Sequence, residues 1–228
     1  AALALHRTRE LLVKQRTQLV NMMRGLLAEF GIDIPRGLER ALAMARRVAD
    51  GEMLDVPDDT ATCILALCEQ ALAIHERLRS IDRVMLASHR ANDVAMRLAT
   101  IPGIGPIGAS ALAASVADPH QFKSGREFAA WLGLTPLQNS SGGKERQGRM
   151  SKMGDRYLRK LLIVGMTSLV RRARYKPESV DPYVADLLAR KPTRVATVAM
   201  ANKAARVAWA IMTRGGTYRA PAPRLLAA

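Results

Sequence analysis

The chain has 228 residues, 49% of them apolar and only 4% aromatic; this length supports one or two packed domains, and a composition rich in Ala and Leu excludes a β-sandwich in favour of packed helices. Its formal charge of +15 excludes a net-acidic surface and points to a polyanionic partner. Residues 1–100 hold 14 Lys/Arg against 13 Asp/Glu, whereas residues 101–228 hold 21 against 7, so the basic face belongs to the second half. Solvated surfaces without a partner usually mix both signs, which favours nucleic acid.

The first residues, "AALALHRTRELL", lack Met and are already in helical rhythm, as expected of a processed chain or a piece of a longer one. Leu5, Leu12, Leu19 and Leu26 recur every seven residues, with Met23 and Phe30 nearby, which predicts one long amphipathic helix ending near Gly31. "DIPRG" breaks it, and a shorter helix fits residues 37–50. Pro57, Asp58 and Asp59 suit the positive end of the next helix. Along it Ile64, Leu67, Ala71, Ile74, Leu78, Ile81 and Met85 alternate by three and four, a heptad seam continued less cleanly to Leu98. The expected result is an antiparallel hairpin or coiled coil that serves as scaffold or dimerisation element. His75 and His89 read as ordinary surface or packing residues. Cys63 and Cys68 match no zinc spacing and read as core residues in a reducing cytosol. With no apolar run long enough for a membrane and no signal peptide, the expectation is a cytoplasmic protein without a membrane partner.

A domain boundary is expected near residue 100, giving a coiled-coil or helical hairpin domain over 1–99 and a second domain over 100–228. There "IPGIGPIGASALAA" (101–114) has the form of a helix–hairpin–helix. A helix ends around Leu98, Gly103 and Gly105 form the tight hairpin, and a second helix carries Ala109 to Ala114. Glycines permit positive φ and let backbone amides face a phosphate without reading bases. Gly108, Ala109, Ala113 and Ala114 allow close helix packing. A buried helical turn is the alternative.

"FAAWLGLTP" reads as a helix stopped by Gly133 and Pro136. After it come Gln138, Asn139, Ser140, Ser141, Gly142 and Gly143, then Lys144, Arg146, Arg149, Lys152, Arg156, Arg159 and Lys160. Over residues 140–176 eleven Lys/Arg face only Glu145 and Asp155, enough to neutralise several phosphates. Ser151 and Gly154 are expected to cap or shape a helix over roughly 155–173. A serine that attacks a phosphodiester must stand on an uncluttered turn, with cations to hold the pentavalent phosphate and a route for its proton. Ser141, backed by Gly142 and Gly143, meets the first need and the basic ladder the second. No His, Asp or Glu in the window meets the third, and chemistry alone favours a polar turn.

Further on, a short helix fits within "PESVDPYVADLLARK" and a longer one spans 193–214, ended by Gly215 and Gly216. Val195, Val198, Ala199, Asn202 and Arg206 share one face of it, and Trp209 reads as core rather than as a base-stacking platform. Arg171, Arg172, Arg174 and Lys176 form a second basic cluster, expected beside the serine loop as phosphate contacts.

Together, "IPGIG…FAAWLGLTPLQNSSGGKERQGRMSKMGDRYLRKLL" resembles the C-terminal transposase domain of the insertion-sequence one-ten family, which includes the pilin-gene invertase type and the bridge-RNA-guided recombinases. The leading "LHRTRELLVKQRTQLVNMMRGLLAEFGI" resembles the helix that follows the RuvC-like domain of that family. The resemblance spans essentially the whole chain. It implies a mainly α fold: a long-helix hairpin followed by a helical domain with a helix–hairpin–helix and a Gly/basic serine loop. It implies a serine nucleophile that forms a covalent phosphoserine with DNA, placed on Ser141 with Ser140 as the off-by-one alternative. Expected DNA contacts are Gly103, Gly105, Gly142, Gly143, Lys144, Arg146, Arg149, Lys152, Arg156 and Arg159. The family's four metal-binding acids, and with them Mg2+, belong to an upstream RuvC-like domain. The acids of residues 101–228, namely Asp118, Glu127, Glu145, Asp155, Glu178, Asp181 and Asp186, are scattered, so no metal is expected on this chain and no recombination by it alone. DNA, a guide RNA and self-association through the coil are the implied partners, at the bacterial nucleoid. A non-catalytic helix–hairpin–helix DNA-binding module or inactive remnant is the alternative; a purely structural helical oligomer fits the charge least well.

Overall fold

The computed structural model, described over residues 2–139, 147–176 and 181–220 with Gln147 by its backbone only, is mainly helical, as its composition requires. In chain order the described elements are α1 (Ala2–Glu29), α2 (Leu38–Ala49), α3 (Asp58–Arg90), α4 (Asp93–Leu98), α5 (Pro106–Ser115), α6 (Gly125–Trp131), β1 (Pro136–Gln138), β2 (Gln147–Met150), α7 (Arg156–Tyr175), α8 (Pro182–Arg190) and α9 (Thr193–Arg214). The strands form one antiparallel pair, Pro136 opposite Met150 and Gln138 opposite Gln147. The chain divides into two compact units, Ala1–Met85 and Leu86–Ala228. No described helix is long and apolar enough to cross a membrane.

In the first unit α1 stops where Gly31 takes a φ of +76°, a conformation that costs glycine little. The "DIPRG" bend is tied back to α1 by Arg24, whose Nη2 donates to the carbonyls of Pro35 (3.1 Å) and Gly37 (2.8 Å). α1 and α3 run antiparallel. Arg9 Nε donates to Asp82 Oδ1 at 2.6 Å, and Arg16 Nη1 donates to His75 Nδ1 at 3.0 Å.

The buried line of α1 is His6, Val20, Met23 and Leu27, one position on from the leucine heptad, whose Leu5, Leu12, Leu19 and Leu26 are half-buried beside it. On α3 the core residues are Ile64, Cys68, Ala71, Ile74, Leu78 and Met85, so Cys68 rather than Leu67 fills the seam. Ile64, Cys68 and Ala71 pack with Val20, Met23 and Leu27 of α1 and Ala41, Ala45 and Val48 of α2 into one core cluster, each larger aliphatic adding about 1.5–3 kcal/mol of burial. The seam stops at Arg90 instead of reaching Leu98. Asn92 then starts α4, its side chain accepting from the Ala95 N–H at 2.9 Å.

The second unit is built around α9, which packs on α4, α6, α7 and α8. Its buried face is Ala196, Thr197, Met200, Ala201, Ala204, Ala205, Ala208 and Ile211. The face shared by Val195, Val198, Ala199, Asn202 and Arg206 is not this one: Val195 and Arg206 are exposed, and Val198, Ala199 and Asn202 half-buried. Alanines win because small side chains let helices approach; the N-terminus of α6 comes so near that a Cβ on Gly125 would lie 3.1 Å from Arg206 Cα. Trp209 is half-buried against this core, its Nε1 donating to the Pro119 carbonyl at 3.0 Å, in keeping with a packing role.

Candidate nucleic-acid interface

The turn between α4 and α5 is shaped by Gly103, at φ +84°. A Cβ there would lie 2.5 Å from Met166 Cε and 3.2 Å from the Gly165 carbonyl, and a Cβ on Gly165 would lie 1.9 Å from the Gly103 carbonyl. Two glycines thus allow the turn to touch the backbone of α7. Gly105 is different. It is exposed, has open space around its Cα and an ordinary extended conformation (φ −82°, ψ 176°), so the positive φ expected of both glycines holds for Gly103 alone. Gly105 is the N-cap of α5, and no side chain caps that end. Beside it runs an apolar cleft of about 200 Å³ between the turn and Leu158, Leu161, Leu162 and Val164 of α7.

The second feature is the β1–β2 hairpin. Its foot is clamped by two interlocked glycines: Gly133 (φ +68°), where a Cβ would lie 2.2 Å from the Met153 carbonyl oxygen, and Gly154 (φ +73°), where it would lie 1.7 Å from the Trp131 carbonyl oxygen. Ser151 and Lys152 donate from their N–H groups to the carbonyls of Thr135 (2.9 Å) and Gly133 (3.2 Å). Lys152 has a φ of +56° and is the one non-glycine residue with positive φ among the described residues. Asp155, not Ser151, caps α7, accepting from the Leu158 N–H at 2.9 Å.

Ser141, Ser140, Gly142, Gly143, Lys144 and Arg146 lie outside the described residues, in the segment that joins β1 to β2. Arg149, Lys152 and Arg156 are exposed on β2, the following turn and the start of α7, available to an anion. Arg159 is not so disposed. It is 8% exposed, and its Nη1 donates to the carbonyls of Leu132 (3.0 Å) and Met153 (2.6 Å), fixing the C-terminal end of α6 to the hairpin foot instead of facing a strand. Its spacing to Leu162, Met166, Val170 and Ala173, the buried stripe of α7, was the signal for this. Arg171, Arg172, Arg174 and Lys176 are exposed at the opposite end of α7 from Arg156, about 25 Å along the helix at 1.5 Å per residue.

The described carboxylates of the second half are occupied locally. Asp118 caps the turn at His120, Glu127 accepts from the Lys123 N–H, Asp155 caps α7, Asp181 caps α8 and pairs with Lys203, and Asp186 pairs with Arg190. Among the described residues no group of three or more His, Cys, Asp or Glu is arranged to hold a metal ion. This donor set does not fit a divalent cation.

Residues 95–183, from α4 to the start of α8, match the family model for the IS116/IS110/IS902 transposase family. A putative transposase, y4pF/y4sB, of Sinorhizobium fredii is 42% identical over 96% of this chain and 56% of its own length. A probable family 20 transposase of Pseudomonas aeruginosa is 42% identical over 96% of this chain and 65% of its own. The transposase for insertion sequence element IS1111A of Coxiella burnetii is 36% identical over 95% and 59%. Over residues 95–183 the chain carries the domain of the IS116/IS110/IS902 transposase family, and it is similar to transposases over most of its length. It spans between 56% and 65% of the length of these relatives.

Proposed function

We propose that this chain is the coiled-coil and serine part of a DNA transposase or site-specific recombinase. The observation that carries the reading is the family match over residues 95–183, which takes in the α4–α5 turn, the β-hairpin whose connecting segment is Asn139–Arg146, and the basic start of α7. DNA is held by the turn at Gly103–Gly105, a helix–hairpin–helix, and by Lys144, Arg146, Arg149, Lys152 and Arg156. From Gly165, where the turn touches α7, to Arg156 is about 14 Å along the helix axis, a span of roughly four phosphates on one strand. Ser141 is the nucleophile, with Ser140 as the alternative. Its Oγ gives up its proton and forms a bond to phosphorus as the bond to the departing sugar oxygen breaks and that oxygen takes up a proton, the added phosphoryl charge resting on the surrounding guanidinium and ammonium groups.

Metal-binding acids belong to a RuvC-like domain beyond this chain; the described carboxylates of residues 101–228 are engaged in helix caps, turns and ion pairs. The α1–α3 hairpin joins copies of the protein, and a guide RNA is the further partner. In the intact transposase with its DNA and magnesium, Ser141→Ala should abolish the covalent protein–DNA adduct while leaving DNA binding within about twofold. Adduct formation that survives Ser141→Ala and disappears with Ser140→Ala moves the nucleophile by one residue. Survival in both variants removes serine chemistry and leaves a DNA-binding module.

A further inference from the structure

Trp131 closes α6 and is 38% exposed. It is the outer ring of a three-ring cluster: Phe128 lies nearly parallel to it (5.8 Å between centroids, 20°) and Phe122 tilted against it (5.3 Å, 53°), both buried. The indole is therefore held on its inner side and open on the other. Met153, 69% exposed, lies next to it through the interlocked glycines: its own carbonyl meets Gly133, and its neighbour Gly154 meets the Trp131 carbonyl. Lys152 comes just before it, exposed and in the left-handed region. Such strain persists where the surroundings enforce it and clusters at functional sites. Arg159 supplies part of that enforcement through its bond to the Met153 carbonyl. An exposed indole, an exposed thioether and an exposed lysine are thus carried on two adjoining segments locked together at the backbone.

We propose that Trp131 and Met153 form a platform for one unpaired nucleobase, with Lys152, Arg149 and Arg156 taking the flanking phosphates. Charge complementarity selects this occupant over an apolar peptide: the cations around the patch suit a polyanion, and every base offers a π-face to an indole. The platform sits at the foot of the hairpin, so an unpaired base there lies on the strand led toward the connecting segment. The inference rests on the nucleic-acid half of the proposed function and is independent of which serine reacts.

Trp131 and Trp209 are the only tryptophans in the chain, so Trp209→Phe leaves Trp131 as the sole indole emitter. The variant is titrated at low salt with end-labelled oligonucleotides: single-stranded DNA, single-stranded RNA of the same sequence, the blunt DNA duplex and an abasic single strand. Label anisotropy reports binding and indole emission reports stacking. Quenching is expected with the base-bearing single strands and not with the abasic strand or the duplex. Whichever of DNA and RNA quenches at lower concentration names the source of the base.

Trp131→Leu should weaken single-strand binding roughly 5- to 100-fold with little effect on the duplex. Met153→Ala, at an open position that asks nothing of either tryptophan, should weaken it in the same sense. Anisotropy showing binding with unchanged indole emission, or equal quenching by the abasic strand, overturns the platform and leaves nucleic-acid binding intact. No rise in anisotropy with any probe overturns nucleic-acid binding as well. Unchanged single-strand affinity in Met153→Ala overturns the part given to Met153, whatever the folding of the tryptophan variants.

Discussion

Gly133, Gly154 and Arg159 do more for the hairpin than the residues that first draw the eye. Both glycines combine positive φ with a backbone oxygen where a Cβ would stand, so either alone would have to displace main chain to accept a methyl group. Gly154→Ala should cost about 3 kcal/mol or more, read as a lower urea midpoint for the 228-residue chain. Gly105→Ala, with open space and an ordinary φ, should cost no more than about 1 kcal/mol, the difference between Gly and Ala at an N-cap; equal losses at the two positions would refute the clamp. Glycine content pointed to turns, but only backbone neighbours separate Gly154 from Gly105. The arginines teach the same lesson. Arg156 and Arg159 look alike in a count of charge, yet a three-residue step carries one from solvent into the buried stripe of α7. A guanidinium there replaces water at two carbonyls that would otherwise be left unpaired, at about 1–3 kcal/mol. Periodicity held that information and charge density hid it.

At the scale of elements, the α1–α3 hairpin was legible as two long helices with a seven-residue repeat. Its register was not. The leucines flank the seam and the buried line lies one residue on, because Arg9 and Arg16 extend from α1 to Asp82 and His75 and set how the helices face each other. Polar groups at such positions commonly specify register at some expense of stability. His6, 2% exposed, belongs to the same line. Burial, and then the charge of Arg9, hold its pKa below the usual imidazole value, and burial, then Arg90, does the same for His89. The folded chain thus favours the neutral rings, while the unfolded chain takes up protons near pH 6.5. Their contribution is complete above that pH and is lost as the pH falls through it toward the lowered folded values. Thermal melts should show a lower midpoint at pH 5.5 than at pH 7.5, and His6→Leu should shrink the difference. A variant that keeps the full difference would show that His6 is not a source of it.

For the whole molecule, the uneven charge of the two halves was plain in the sequence, and so was the helical class. Less plain was which cations remain for a partner. With Arg159 buried, Arg149, Lys152 and Arg156 are exposed cations of the hairpin and the start of α7, and the proposed contacts add Lys144 and Arg146, which lie outside the described residues. Five neutralised phosphates give a log–log salt slope of about −4.5 on duplex DNA, hence a loss of affinity of roughly 500-fold between 50 and 200 mM salt. Anisotropy titrations at four salt concentrations measure it. A slope near zero would remove phosphate contacts from the account. The cluster at the far end of α7 is separated from Arg156 by most of a helix of twenty residues, whose ends lie about 30 Å apart, a distance that a linear string of letters conceals.

The local engagement of the carboxylates has a further consequence for copies of this protein in company. Asp118, Glu127, Asp155, Asp181 and Asp186 are turned toward their own backbone or a neighbouring cation, so the described acids of residues 101–228 are engaged at home and this half shows a second molecule mainly its cations. Two such faces repel in dilute salt, over a range near 10 Å at 0.1 M. A polyanion laid between them reverses the sign of that encounter. A nucleic acid would then act as mortar as well as target, and assembly would begin on the strand instead of preceding it.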